Sequence, residues 1–270
     1  MHGIVRLLGG GLLCLHTAFA LALPDLFPDV ASAYRVELDG AALWERQAQH
    51  RLPPASLTKL MTALLAAERV SSLANNTTIS HAAANESGSR IGLRAGEEFR
   101  VQDLLAAALI ASANDACHAL ADAVAGDEHR FVQLMNRRAK ELGMLNTRFV
   151  NACGHDAKGH YSSAHDLTLL AQEFIKHREL LEYTSRIDMS ISPLDGRRSL
   201  RFENKNALVG RYPGAFGLKT GYTAGAGKCL VAYAKRGEHA VLLVLLHGND
   251  RWWDAVDILD IAFEHARHPR

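Results

Sequence analysis

The sequence predicts an α/β (α+β) protein in which both ends of the chain build one antiparallel sheet and helices pack on it. Apolar residues alternate with polar ones near residue 34 and again between residues 189 and 246, which is typical of half-buried strands. Between these regions the apolar residues recur at helical spacing. Because strands flank a helical middle, we expect the two ends to pair and the middle to form a helical subdomain.

The first elements are two strands and a turn. Tyr34, Val36 and Leu38 alternate with charged residues, Asp39-Gly40 favours a tight turn, and Leu43-Trp44 resumes an apolar run. This pattern predicts a hairpin at the start of the globular part.

A helix follows the hairpin and opens the helical middle. The residues at 57, 60, 61, 64 and 65 are Leu or Met and form an apolar stripe just after Pro53-Pro54. Gly126 and Gly143 mark the ends of two later helices. The same periodicities predict helices over 104–110, 116–124, 131–142, 167–175 and 252–266, and strands over 189–192, 199–203, 215–220, 229–234 and 240–246.

Composition limits the class of protein. The chain has 270 residues, 48% of them hydrophobic, which is enough to bury a core and excludes a disordered or disulfide-stapled chain. Thirty basic and 29 acidic residues leave a formal charge of +1, which argues against a nucleic-acid partner. The cysteines form no C-x-x-C pair and no zinc finger; they stand at Cys14, Cys117, Cys153 and Cys229.

The N-terminus has the pattern of a secretory signal peptide. His2 and Arg6 precede a charge-free run over residues 7–23. Small residues place the cleavage site after Ala20 or Ala22, so we expect residues 1–20 to be removed; an uncleaved anchor is the alternative. Cleavage removes Cys14 and leaves three thiols, of which at least one is unpaired.

Ser56 and Lys59 form an S-x-x-K pattern at the start of the first helix. Residues three apart lie on one helical face, so the amine can take the hydroxyl proton and activate the serine as a nucleophile. The helix N-terminus also offers free N–H groups to a developing oxyanion. One such pattern occurs about once by chance in a chain of this length.

Two further patterns follow in order. Ser112-Ala113-Asn114 interrupts a helical run, which favours a turn that lines a cleft. Lys219-Thr220-Gly221 lies on a predicted strand, where the glycine allows a ligand backbone to approach closely. This ordered triplet is the signature of penicillin-binding proteins and class A β-lactamases.

The chain resembles the D-alanyl-D-alanine carboxypeptidases of the low-molecular-mass penicillin-binding proteins, from about Tyr34 to Phe263. The segment over 159–167 is expected to be helical. The blocks that carry the resemblance are 53–62 (PPASLTKLMT), 87–90 (SGSR), 103–105 (DLL), 112–116 (SANDA), 159–167 (GHYSSAHDL) and 217–223 (GLKTGYT).

The resemblance implies a role for each residue of the first two motifs. Ser56 is the acylated nucleophile and Lys59 is its base. Ser112 relays the proton to the leaving D-alanine, and Asn114 holds the peptide carbonyl of the substrate.

The third motif and its neighbours are implied to bind the substrate. Lys219 and Thr220 meet its terminal carboxylate, and Arg251 is a further ligand of that group. The oxyanion hole is formed by the backbone N–H groups of Ser56 and Tyr222, which makes the backbone from Gly221 to Tyr222 as important as the side chains.

The implied fold is β-lactamase/transpeptidase-like, with a single catalytic domain over residues 24–270 and no C-terminal β-domain or stable membrane anchor. The implied substrates are peptidoglycan stem peptides in the periplasm, with β-lactam antibiotics as covalent inhibitors. The family chemistry needs no metal and no cofactor.

Four alternatives remain. A DD-endopeptidase uses the same residues. A β-lactamase needs a glutamate four residues before an asparagine, whereas Glu141 precedes Asn146 by five. A catalytically dead scaffold is disfavoured by the intact motifs. A zinc site without H-E-x-x-H spacing is the fourth; its candidate ligands are Cys153, His155, Asp156, His160 and His165. The chain also departs from the family pattern at 151–155 and at Lys228.

Overall fold

The computed structural model describes residues 25–268, so the predicted signal peptide lies outside the described residues. Five strands form the main sheet in the order β2-β1-β9-β8-β7, and every neighbouring pair is antiparallel. These strands are β1 (Ala31–Leu38), β2 (Ala41–Arg46), β7 (Ala215–Thr223), β8 (Gly227–Arg236) and β9 (His239–Gly248). The predicted fold class, a sheet built from both ends of the chain, is confirmed.

Strand β9 lies between strands from opposite ends of the chain and is apolar on both faces. Leu242, Val244 and Leu246 face the core under the helical middle, whereas the residues between them face a second core. A strand covered on both faces needs a continuous apolar run, which explains the sequence AVLLVLL within β9. The sheet therefore separates two layers of helices.

Residues 25–268 contain eight α-helices. Helix α1 is buried along its first eight residues, because it lies at the centre of the helical middle. Helix α8 packs through an apolar stripe on the opposite face of the sheet. The helices are α1 (Lys59–Arg69), α2 (His81–Ala84), α3 (Val101–Ile110), α4 (Asn114–Ala125), α5 (Glu128–Glu141), α6 (Ala164–Phe174), α7 (Arg178–Thr184) and α8 (Arg251–Arg267).

Several short elements differ from the predictions. Strands β5 (Asp188–Ile191) and β6 (Leu200–Glu203) pair with each other in a separate two-stranded sheet and do not join the main sheet. A second small sheet, of β3 (Asn76–Thr78) and β4 (Glu98–Arg100), was not predicted. Helices α2 and α7 were not predicted either. These unpredicted strands and helices are three to seven residues long, which is too short to establish a hydrophobic period.

The segment over residues 159–167 is not a helix throughout, which corrects the prediction. Helix α6 begins only at Ala164, and Ser163 caps it by accepting a hydrogen bond from the Asp166 N–H at 3.1 Å. Ser162 is held in an extended bridge with Leu52. No helix among residues 25–268 has the length and apolarity needed to cross a bilayer.

Candidate active site

Ser56 lies in a 3₁₀ turn (Ala55–Thr58) that leads directly into α1. The Lys59 Nζ donates a hydrogen bond to the Ser56 Oγ at 3.0 Å. Ala55 adopts a left-handed backbone with φ of 48°, which is uncommon for a residue with a Cβ. The amine and the hydroxyl of the S-x-x-K motif are thus in contact.

Lys59 is fully buried, and three oxygens surround its amine. Besides the serine, Nζ donates to the Asn114 Oδ1 at 2.7 Å and to the Cys153 carbonyl at 2.6 Å. A buried ammonium is costly unless its donors are satisfied. Each of its three N–H groups has one acceptor, so the amine is fixed in place.

The S-x-N motif forms the turn between α3 and α4. Ser112 has a φ of 57°, and Asn114 is the first residue of α4. The Asn114 Nδ2 donates to the Ser87 carbonyl at 2.6 Å, and its backbone N–H donates to the Ser89 carbonyl at 2.7 Å. Asn114 therefore connects the loop around residue 88 to Lys59.

Lys219 on β7 is buried and forms a second serine–lysine pair. Its Nζ donates to the Ser112 Oγ at 2.8 Å and to the Thr220 carbonyl at 3.0 Å. Burial holds the pKa of Lys219 well below its usual range, and the positive charges of Lys59 and Arg251 lower the pKa further. The K-T-G lysine and the S-x-N serine are in contact.

Two glycines allow the backbone to pass close to Ser56. A Cβ added at Gly221 would lie 3.2 Å from the Ser56 nitrogen. A Cβ at Gly154 would lie 1.9 Å from the Ala55 carbonyl oxygen, and Gly154 also has a φ of 88°. Only glycine fits at Gly154, because a side chain would clash with backbone.

Arg251 is the first residue of α8 and reaches the end of β7. Its Nη1 donates to the Gly221 carbonyl at 2.6 Å, and its guanidinium stacks on Trp252. Its Nε is buried and has no protein acceptor among residues 25–268. Burial also lowers its pKa. An unpaired buried cationic donor favours an anionic ligand at this position.

These elements enclose a cleft of about 340 Å³. Seven of the nine predicted site residues line it, and the two lysines are hydrogen-bonded to serines of its wall. None of the residues between 25 and 268 that line it carries a carboxylate. The predicted residues that line it are Ser56, Ser112, Asn114, Thr220, Gly221, Tyr222 and Arg251.

Sequence reasoning missed several members of the cleft. The backbone carbonyl of Cys153 holds Lys59, and Gly154, His155 and Lys205 line the wall. Two signals in the sequence pointed to this segment: the departure from the family pattern at 151–155, and the candidate zinc ligands Cys153 and His155. Neither indicates that the Cys153 backbone carbonyl holds Lys59, because a backbone acceptor does not depend on the residue type.

His155 belongs to a cluster at the rim of the cleft. Its Nε2 is 2.8 Å from a Glu86 carboxylate oxygen, and the His118 Nδ1 is 2.7 Å from the other oxygen. Burial alone would raise the pKa of Glu86, but the hydrogen bonds from both histidines hold it well below its usual range. The cluster thus connects three segments: Glu86 lies in the loop before Gly88, His118 in α4, and His155 in the loop after Cys153.

The candidate zinc ligands point to different neighbours. His155 contacts Glu86, Asp156 accepts from Thr223, and His160 contacts Thr58. The three buried cysteines of the described chain are all free thiols. The sulfur of Cys153 lies 3.6 Å from the Asn114 carbonyl. Within residues 25–268 these side chains do not converge on one point.

Comparisons with known proteins agree with this geometry. A family model described as D-alanyl-D-alanine carboxypeptidase (peptidase S11) matches residues 29–250. The D-alanyl-D-alanine carboxypeptidase DacF of Bacillus subtilis is 37% identical over 254 residues, which cover 91% of this chain and 65% of DacF. DacC of Escherichia coli is 36% identical over 85% of this chain and 60% of its own length.

Solved structures show the same fold. The Streptomyces K15 DD-transpeptidase has a TM-score of 0.83 at 28% identity, covering 87% of this chain and 98% of its own. The D-alanyl-D-alanine carboxypeptidase of Mycobacterium tuberculosis also has a TM-score of 0.83, at 27% identity, covering 91% and 95%. The chain spans slightly less than two thirds of the length of the two curated relatives given above.

Proposed function

The chain belongs to the D-alanyl-D-alanine carboxypeptidase family, and from this premise we propose that it removes the terminal D-alanine from peptidoglycan stem pentapeptides. The reaction passes through an acyl-enzyme on Ser56. The observation that carries the proposal is the convergence of two serine–lysine pairs on one cleft, from S-x-x-K, S-x-N and K-T-G motifs far apart in the sequence.

Acylation begins at the Ser56–Lys59 pair. Once the Lys59 ammonium has given up one proton to water, its amine takes the hydroxyl proton of Ser56 while Oγ bonds to the carbonyl carbon of the penultimate D-alanine. The carbonyl π electrons move to its oxygen, and the N–H groups of Ser56 and Tyr222 stabilise this oxyanion. Because Nζ is 3.0 Å from Oγ, the two atoms are already within reach for this transfer.

The leaving group departs on the side of the second pair. Ser112 donates a proton to the amine nitrogen of the terminal D-alanine as the carbon–nitrogen bond breaks, and the carbonyl re-forms. The proton held by Lys59 replaces the one that Ser112 lost. The water oxygen then bonds to the ester carbonyl carbon and the bond from that carbon to Oγ breaks. One water proton ends on the Ser56 oxygen, and the shortened peptide leaves as a carboxylic acid.

Positive charge selects the terminal carboxylate. Lys219 with Thr220 lies on one side of the cleft, and Arg251 supplies a guanidinium whose Nε has no protein acceptor in the described chain. The absence of a carboxylate in the described lining supports an anionic substrate and disfavours the deacylating glutamate of a β-lactamase.

We place the enzyme in the periplasm as a single catalytic unit over residues 24–270, after removal of residues 1–20. The sequence pattern of the N-terminus and the bacterial cell-wall relatives support this location. By the same chemistry β-lactam antibiotics acylate Ser56 as covalent inhibitors, since the motifs are shared with penicillin-binding proteins.

A DD-endopeptidase that cuts cross-linked peptides is the second candidate. A Pseudomonas aeruginosa protein named D-alanyl-D-alanine endopeptidase is 32% identical over 81% of this chain and 71% of its own length. Both activities would use the same two pairs, so the substrate alone distinguishes them.

Labelled benzylpenicillin followed by peptide mapping tests the nucleophile. We expect one label, on the peptide that contains Ser56, and none in Ser56→Ala. A label elsewhere, or none in the wild type, would refute the proposal. Incubation with purified pentapeptide muropeptides and with cross-linked dimers then separates carboxypeptidase from endopeptidase activity by the products released.

A further inference from the structure

The peptide bond between Ala55 and Ser56 is held from two sides. The Thr58 Oγ1 donates a hydrogen bond to the Ala55 carbonyl oxygen at 2.8 Å, and Gly154 packs directly against that oxygen. Ala55 itself has a φ of 48°, a conformation that persists only where its surroundings enforce it. This carbonyl therefore has one fixed direction.

A buried histidine extends the contact. The backbone N–H of Val150 donates to the His160 Nδ1 at 3.0 Å, so the ring proton lies on Nε2. That Nε2 is 2.9 Å from the Thr58 Oγ1, which already donates to Ala55 and so accepts here. The hydrogen bonds therefore all run in one direction: Val150 donates to His160, His160 donates to Thr58, and Thr58 donates to Ala55.

The direction of this carbonyl determines the direction of the Ser56 N–H. In a trans peptide the C=O and N–H point to opposite sides of one plane, and the described chain contains no cis bond. Among residues 25–268 the Ser56 N–H donates to no protein acceptor. With its carbonyl turned towards Thr58, this N–H remains available to a ligand in the cleft, which Ser56 lines.

His160 is suited to hold this arrangement at neutral pH. Burial lowers its pKa to about 4, with a smaller contribution in the same direction from His155, while the charge of Asp156 opposes the shift. Protonation would place a hydrogen on Nδ1 and end its bond with the Val150 N–H. The neutral ring keeps the chain of hydrogen bonds intact.

We propose that His160 and Thr58 are positioning residues that aim the Ser56 N–H into the oxyanion hole. Neither residue touches the substrate; both act through the Ala55 carbonyl. The proposal rests on the proposed function, because an oxyanion forms only if Ser56 is the nucleophile.

Thr58→Val and Thr58→Ser test the hydroxyl. Valine removes the O–H at nearly constant volume, and we expect acylation by benzylpenicillin to slow about 10²-fold, the lower end of the cost of losing one oxyanion donor. Binding of a peptide boronate, whose tetrahedral adduct places an oxygen in the hole, should weaken similarly. The KM for pentapeptide should stay nearly constant, and serine should restore both losses.

Thr168→Val is the matched control. Its hydroxyl is equally buried and donates to the Ala164 carbonyl at 2.8 Å, on α6 and outside the cleft lining. We expect it to lower the midpoint of thermal unfolding as Thr58→Val does and to leave acylation and boronate affinity unchanged. Wild-type acylation and boronate affinity in Thr58→Val would overturn the proposal.

His160→Gln and His160→Leu provide a second test should Thr58→Val fold poorly. Glutamine keeps an N–H that can donate to Thr58, whereas leucine has none. Slower acylation in His160→Leu but not in His160→Gln supports the proposal, and equal acylation rates in the two variants overturn it. If wild-type protein takes no penicillin label, the proposed function itself fails. If it is labelled and Thr58→Val reacts at the same rate, only the positioning role fails.

Discussion

The two serine–lysine pairs of the cleft contain the same chemical groups but are assembled in different ways. Ser56 and Lys59 are three residues apart, so one turn of helical backbone brings them together. Ser112 and Lys219 are 107 residues apart and meet because the turn before α4 and strand β7 lie at the same cleft. The first pair depends on local structure, and the second depends on the whole fold.

The lysines also differ in their surroundings. Lys59 is held by three oxygen acceptors, whereas Lys219 faces the charges of Lys59 and Arg251 and has a pKa well below the usual range. We infer that one pair activates the nucleophile and the other handles the leaving group and carboxylate.

The largest expected effect comes from the local pair. Lys59→Ala removes the base beside Ser56, and we expect the second-order rate constant for acylation by benzylpenicillin to fall about 10³-fold, within the range of general-base losses. Stopped-flow measurement gives this rate. Lys140→Ala, at an exposed position of α5, is the control and should react normally. If Lys59→Ala and Lys140→Ala are acylated at comparable rates, Lys59 is not the base.

The second pair should contribute less. Ser112→Ala leaves the contact between Ser56 and Lys59 intact but removes the hydroxyl bonded to Lys219, so we expect kcat for pentapeptide to fall about 10²-fold. Product release measured by liquid chromatography gives kcat, and circular dichroism checks the fold. Wild-type turnover would show that the second pair does not transfer the proton.

The smallest expected effect is a shift in pH dependence. In the proposed function Lys219 binds the substrate carboxylate as a cation, so we expect activity to fall as pH rises through its lowered pKa. Arg251 contributes to that lowering, and Arg251→Ala should therefore raise the pKa and move the alkaline limb of kcat/KM to higher pH.

The same variant should raise the KM for pentapeptide more than it weakens penicillin binding. Profiles of kcat/KM between neutral and alkaline pH, recorded for wild type and variant, check the shift. A limb that stays in place or moves to lower pH would exclude coupling between Arg251 and Lys219.

Periodicity predicted the long elements because each repeats its pattern over several turns or alternations. The stripe of α1 and the apolar run of β9 are examples, and both lie at the centre of the fold. Strands β5 and β6 were predicted as elements but placed in the wrong sheet, because a four-residue pattern does not specify its partner.

The part of the candidate site that consists of motif side chains could be predicted from the sequence. Ser56, Lys59 and Lys219 stand out by residue type and order. The Cys153 carbonyl that holds Lys59, and the contact between Gly154 and Ala55, depend on backbone positions set by tertiary packing. The sequence indicates His160 as part of a family block and as a candidate metal ligand, but its contact with Thr58, 102 residues away, depends on the fold.

The position of β9 in the main sheet has a consequence for the order of folding. Tyr34 on β1 faces Leu245 on β9, so the two ends of the chain must meet before the sheet is complete. Contacts between residues so distant in sequence close late and slow the folding reaction. The ribosome must therefore pass residue 248 before β1 can gain its second neighbour, and until then the hairpin of β1 and β2 has one edge without a partner.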